Sequence, residues 1–184
     1  MKSVLISIQP KWCELIASGK KTVEVRKTKP KLETPFKVYI YCTIDGGVKG
    51  DMLVRSKLIC GKVIGEFICD RISGGTGEYA VYHTEGTCLT PTEIADYIGD
   101  KYAYYWHISD LVIYDKPREL GEFYAVGDCD CLNCKKCPWF DCGNGYNVED
   151  DCNLAFKGLS LGKSLKPILR PPQSWCYVES EDTE

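Results

Sequence analysis

Apolar and β-branched residues recur along this chain in short blocks, each bounded by turn-forming residues. Residues 3–8 (SVLISI) predict a first strand. Pro10 suits a first helical position, and Trp12, Leu15 and Ile16 share one face of the short helix it opens. Ser18 and Gly19 end that helix, because glycine readily takes the left-handed conformation that closes one. Residues 22–26 (TVEVR) alternate strictly, the pattern of a half-buried strand. Residues 36–43 (FKVYIYCT) combine β-branched and aromatic side chains and predict a strand. Residues 60–72, 104–114 and 174–179 predict three more, while 45–51 and 74–77 read as Gly-rich loops. Thr90, Pro91 and Glu93 carry the signature of a capped helix start, with Thr90 as N-cap and Glu93 closing a capping box. Five or six strands with two or three short helices and no internal repeat describe an α+β or mainly β fold, a small β-barrel among the options.

Residues 129–152 break this pattern. The stretch CDCLNCKKCPWFDCGNGYNVEDDC holds six cysteines and almost no apolar periodicity. It cannot build a core by side-chain burial, so it reads as an insertion stapled by something else within one domain spanning 1–184. Tetrahedral zinc takes four thiolate or imidazole ligands, and two intervening residues let a cysteine pair reach one ion. Cys134 and Cys137 have that spacing, and Cys142 and Cys152 can supply the second pair. Cys131 with Cys134 is an overlapping choice and Cys129 a further alternate, so the ligand set stays open. No histidine lies in the window, which points to a structural zinc site closed to substrate. Unligated thiols or an iron–sulfur cluster are the alternatives. The remaining cysteines (13, 42, 60, 69, 88 and 176) sit mostly in apolar contexts and read as buried small hydrophobes.

Composition narrows the class. At 184 residues with 44% hydrophobic and 27% charged content, the chain has the make-up of a folded globular protein. Apolar runs such as Val4-Leu5-Ile6 are far shorter than the roughly 20 residues of a membrane span. The N-terminus carries no small-residue cleavage site after its short apolar stretch, so a cytoplasmic location is expected. Such a reducing compartment favours metal-bound or free thiols over disulfides. The net charge of −3 excludes a uniformly basic nucleic-acid binder. Yet residues 1–37 hold nine Lys or Arg against three Glu, a local +6 on a chain that is −9 elsewhere. That asymmetry suits an anionic ligand bound at one place, or a solvated basic surface.

The strand at 22–26 concentrates the candidate chemistry. If it begins by Lys21, then Lys21, Val23 and Val25 share one face while Glu24 and Arg26 pair on the other. By spacing alone this is a surface strand with an ion pair. Gly19-x-Lys21-x2-Glu24-x-Arg26, following a strand and a helix, resembles the GxKxxExR signature of the ASCH domain family. The stretch from Pro10-Lys11-Trp12 to Ser18-Gly19 also looks like that family's opening. The cysteine insertion and the closing residues 170–179 resemble its phage and prophage members.

This resemblance implies a PUA-like β-barrel with a cleft that binds RNA or a modified nucleoside, and it carries over Lys21, Glu24 and Arg26 as signature positions. A bacterial branch hydrolyses the amide of acetylated cytidine with a Lys, a Thr and a Glu. Its Lys matches Lys21, and its Thr nucleophile falls at Glu24 here. Other members act as metal-independent ribonucleases, a chemistry that needs a base and a cation. Lys21 or Arg26 fits the cation, and Glu24 or His107 the base. Glu66, on an apolar strand face, is either an edge residue or a further cleft carboxylate. His107 is either a packed structural histidine or a catalytic one. Trp12 is a candidate to stack on an unpaired base. Three functions follow as expectations: an RNA or nucleoside reader, a hydrolase using the same cleft, or a protein-interaction module docking a partner through the cysteine insertion.

Overall fold

A computed structural model describes residues 2–44, 60–125 and 166–179. The chain opens with strand β1 (Lys2–Ile8), helix α1 (Pro10–Ala17) and strand β2 (Val23–Arg26). Strand β3 (Phe36–Cys42) and the long β4 (Lys62–Gly75) follow, then helices α2 (Gly77–Tyr82) and α3 (Pro91–Ile98). Strand β5 (Ala103–Arg118) leads through a 3-10 turn (Leu120–Glu122) to β6 (Tyr124–Ala125), and β7 (Lys166–Pro167) and β8 (Trp175–Glu179) close the order.

These strands form one mixed eight-stranded sheet in the order β2-β5-β4-β3-β1-β8-β6-β7. Only the β1–β3 pair is parallel; the other ladders are antiparallel. That parallel pair requires a crossover, which α1 and β2 supply. The expected closed barrel is not formed, since β2 and β7 are the two ends of the sheet and do not pair with each other. At its open end, β2 meets a turn and a helix instead of a strand. Thr22 and Val23 donate their N–H groups to the Gly86 carbonyl at 2.8 and 3.0 Å, and Ile94 and Ile98 of α3 pack with Val23 and Val25. At the other end of the sheet, β6 and β7 are short strands joined at Ala125 and Lys166.

Both faces of the central strands are buried. Val4, Ile6, Ile8, Val38, Ile40, Phe67 and Trp106 form one cluster, covered in part by Cys13 and Ile16 of α1. Leu5, Tyr39, Tyr41, Val63, Phe123 and Val178 form a second. The strict alternation within β1 and β3 is what divides them. Among the other cysteines, 13, 42 and 69 are buried as expected, 60 and 176 are half-buried, and Cys88 is exposed, contrary to the reading of it as a core thiol. Residues 45–51 and the six cysteines of 129–152, with every zinc-ligand assignment made there, lie outside the described residues.

Candidate functional site

The turn after α1 delivers the motif. Gly19 takes φ +72° and ends the helix, and Lys20 and Lys21 both donate their backbone N–H to the Leu15 carbonyl at 2.9 Å. Strand pairing then begins at Val23, two residues later than Lys21. Lys21 is therefore not on the Val23–Val25 face, as an earlier strand start would have put it. Its ammonium folds over instead to the carboxylate of Glu24, 3.3 Å from Oε2, and donates to the carbonyls of Val23 (2.9 Å) and Thr87 (2.6 Å). These three acceptors match the three N–H bonds of an ammonium. Lys21, 2% exposed, is thus a buried clamp on Glu24.

Glu24 sits between two cations. Its Oε1 lies 3.0 Å from Nη2 of Arg26, which also donates to the Ser7 carbonyl at 2.7 Å. Nη1 of Arg26 reaches the Ser174 hydroxyl at 3.4 Å, so one guanidinium ties β1, β2 and the approach to β8. Burying three charges is costly, and the surrounding carbonyls are what make it tolerable. Of the five guanidinium N–H bonds, one on Nη1 and the one on Nε are left over. Nε of Arg26 is buried and has no partner among the described residues. Each Glu24 oxygen keeps a lone pair beyond the one its cation uses.

This relay forms the floor of a cleft of about 720 Å³ at the open end of the sheet. Its walls are Ser7 to Trp12, Thr43, Leu89, the Glu93, Asp96 and Tyr97 face of α3, and residues 171–173. The capping box on α3 is present as expected: Glu93 N–H donates to Thr90 Oγ1 at 3.2 Å and Thr90 N–H to Glu93 Oε2 at 2.8 Å. The Thr90 N–H bond, with a second donated by the Thr90 hydroxyl at 2.9 Å, holds the Glu93 carboxyl below its usual range. Trp12 lines the cleft with the Lys11 and Lys21 ammoniums 4.0 and 5.2 Å from its ring, inside cation–π range. Tyr97 stands on the α3 wall, its phenol pushed above the ordinary range by burial.

The structure thus brings Lys21, Glu24, Arg26 and Trp12 together, and it leaves Glu66 and His107 elsewhere. Glu66 is held by Lys37 at 3.1 Å and by the Tyr114 hydroxyl at 2.6 Å, at a register position facing Tyr39 of the second core cluster. His107 pairs in register with Val23, one position along from Glu24 and so on the opposite face. Arg71 Nη2 lies 3.1 Å from its Nδ1 and the Ser73 hydroxyl 3.0 Å from its Nε2. A guanidinium only donates, so Nδ1 is the acceptor and Nε2 carries the proton. Burial and the Arg71 charge push this imidazole below its usual range. Sequence reading missed Ser7, Thr87, Tyr97 and Ser174. Only Tyr97 left a signal, since 93, 96 and 97 form the polar side of a helix whose apolar side is Ile94 and Ile98. Among the described residues, no group of three or more His, Cys, Asp or Glu is placed to hold a metal ion. No described helix is long and apolar enough to cross a membrane.

The sequence profile of the ASCH domain matches residues 6–106, more than half of the chain and the span that carries the relay, Trp12 and the α3 wall. The chain belongs to the ASCH domain family. A solved structure of the ASCH protein from Zymomonas mobilis is similar to it at 25% identity and a TM-score of 0.50, over 64% of this chain and 73% of that one. A point variant of the same protein aligns at 24% identity with a TM-score of 0.52, over 65% and 77% of the two chains, a likeness of fold. No curated protein matches the chain. The ASCH profile ends at Trp106, so residues 171–173, which complete the cleft, lie beyond it.

Proposed function

We propose that this ASCH domain binds RNA or a modified nucleoside in the cleft floored by Lys21, Glu24 and Arg26. The observation that carries the reading is that Glu24 and Arg26 line a cleft of about 720 Å³ together with Trp12 and Tyr97, Glu24 keeping lone pairs beyond those its cations use. A nucleobase edge offers an acceptor next to an amino donor, one for Arg26 and one for Glu24. Trp12 and Tyr97, which line the same cleft, offer rings for its flat face to stack on. Lys21 has spent its N–H bonds within the protein, which supports a positioning role for it and favours a reader over a hydrolase.

The test is calorimetric titration of nucleosides, acetylated cytidine among them, and of short RNAs, with mass spectrometry of each mixture after long incubation. Binding that Arg26→Gln weakens tenfold or more, with no product, supports the reading. Product formed by the parent and lost in Lys21→Ala replaces it with a hydrolase. Absence of binding together with capture of a protein partner that needs residues 129–152 replaces it with the docking module.

The reading places the protein in the cytoplasm and includes a structural zinc ion on Cys134, Cys137, Cys142 and Cys152, with Cys129 and Cys131 as alternates. The donor chemistry supports the metal, since four thiolates without histidine make a closed tetrahedral set. Elemental analysis giving well under one zinc per chain removes that part. The phage-type assignment rests on the insertion and on residues 170–179.

A further inference from the structure

A second surface begins where the cleft ends. Between β2 and β3, Lys27, Lys29 and Lys31 alternate with Thr28, Pro30 and Leu32, and all six line one open depression of about 480 Å³ together with Glu33 and Tyr104. This loop is fixed by the rest of the fold. Trp175 Nε1 donates to Thr28 Oγ1 at 3.0 Å, and the Lys31 N–H donates to the Tyr177 hydroxyl at 2.7 Å. Pro30 is buried and Leu32 packs on the main core. Among the described residues, none of the three lysines lies within ion-pair distance of a carboxylate.

Aromatic rings run beside the charges. The Lys29 ammonium lies 5.8 Å from the Tyr104 ring, whose centroid is 4.6 Å from that of Tyr102, 41% exposed. Lys27 connects the two places: it lines the depression, and its ammonium lies 4.8 Å over Tyr97, which lines the cleft. Cations spaced along a groove with exposed rings between them match a single strand, phosphates on the lysines and bases on the rings. A free nucleoside would reach the cleft and leave this surface unused.

We propose that the natural ligand is a single-stranded RNA whose flanking nucleotides run from the cleft across Lys27, Lys29, Lys31 and the Tyr102–Tyr104 pair. The proposal rests on the nucleic-acid reading of the cleft and narrows it from nucleoside to polynucleotide.

Fluorescence anisotropy with a labelled RNA of about nine nucleotides tests it, beside calorimetry with free nucleosides and with inorganic polyphosphate. The parent should bind the RNA about tenfold or more tighter than any nucleoside. The triple variant Lys27→Ala/Lys29→Ala/Lys31→Ala should lose that advantage, and its slope of log affinity against log salt should flatten by about 2, as three lost phosphate contacts require. Its melting temperature should stay as in the parent, and the double variant Lys29→Ala/Lys31→Ala, which keeps Lys27 over Tyr97, should keep the parent's nucleoside affinity. Tyr102→Ala should weaken RNA about fivefold or more and leave polyphosphate untouched. An unchanged salt slope in the triple variant overturns the proposal while leaving nucleoside binding, and so the cleft, intact. Polyphosphate bound as tightly as RNA, with Tyr102→Ala indifferent, also overturns it. RNA binding that survives Arg26→Gln and is lost in the triple variant upholds the surface and removes the cleft reading.

Discussion

Glu24 and Glu66 are both strand carboxylates held by a lysine, and only one of them belongs to a site. The side chain of Glu66 is 24% exposed, meets a half-exposed Lys37 and accepts a bond from Tyr114. Its neighbours satisfy it at a surface, where such pairs are worth up to about 1 kcal/mol. Glu24 and its two cations are almost wholly buried at the floor of a cleft, with Nε of Arg26 unpartnered among the described residues. Charge beside charge is common to both. The difference is placement: Glu24 lines the cleft beside Trp12 and Tyr97, and Glu66 does not.

Removing Glu24 is the hardest test of this contrast. Glu24→Ala leaves Lys21 and Arg26 buried without their counter-charge, and urea denaturation should show a loss of about 3–5 kcal/mol. A loss below about 1 kcal/mol would put Glu24 in the same class as Glu66. Arg26→Lys comes next. An ammonium cannot fork between Glu24, Ser7 and Ser174, so the variant should lose about 1–3 kcal/mol and its ligand affinity together. Glu66→Gln should cost at most about 1 kcal/mol and leave ligand titrations unchanged. A change in affinity there would mean that the two carboxylates are coupled.

The smallest effect concerns pH. His107 has a folded pKa below the ordinary 6.5, from burial first and the Arg71 charge second. The unfolded chain therefore takes up this proton first as pH falls. The contribution of the neutral imidazole is whole above about 6.5 and is lost as pH drops through the folded value. His107→Gln should shed less melting temperature than the parent between pH 7 and pH 5. Equal losses in both would remove His107 as the cause.

Much of the scaffold was legible in the chain because its signals are local. Pro10, Gly19 and the Thr90–Glu93 box mark helix ends through bonds within a few residues. Apolar block, strict alternation and β-branched and aromatic content located β1, β2 and β3 respectively to within a residue or two. Helix α2 was missed because Gly74, Gly75 and Gly77 advertise a loop, yet the first two end β4 and the third opens the helix. The last four residues of β5, 115–118, were missed because Asp115, Lys116 and Pro117 end its apolar pattern. Half of the candidate site is contiguous in sequence, Lys21 to Arg26. The other half is supplied by segments near 7, 87, 97 and 174, which only the tertiary fold brings together. The Gly86 turn shows the cost of that non-locality. Its φ of +71° and the 2.3 Å between a built Cβ and Thr22 Oγ1 require glycine there, for a contact 64 residues from Thr22 in the chain.

The pairing of Ala125 with Lys166 has an architectural consequence. Paired Cα atoms across an antiparallel ladder lie about 4.5–5.5 Å apart. Ala125 and Lys166 therefore stand side by side, the two posts of what is, geometrically, a single doorway. A two-residue hairpin turn spans the same gap as the present stretch. The ladder sets the distance between the two posts whatever joins them, so this is the place to try grafting a tag, a reporter or another domain onto the scaffold. Residues 171–173 line the cleft only a few positions after β7, so a graft belongs before Lys166 and not beyond Pro167.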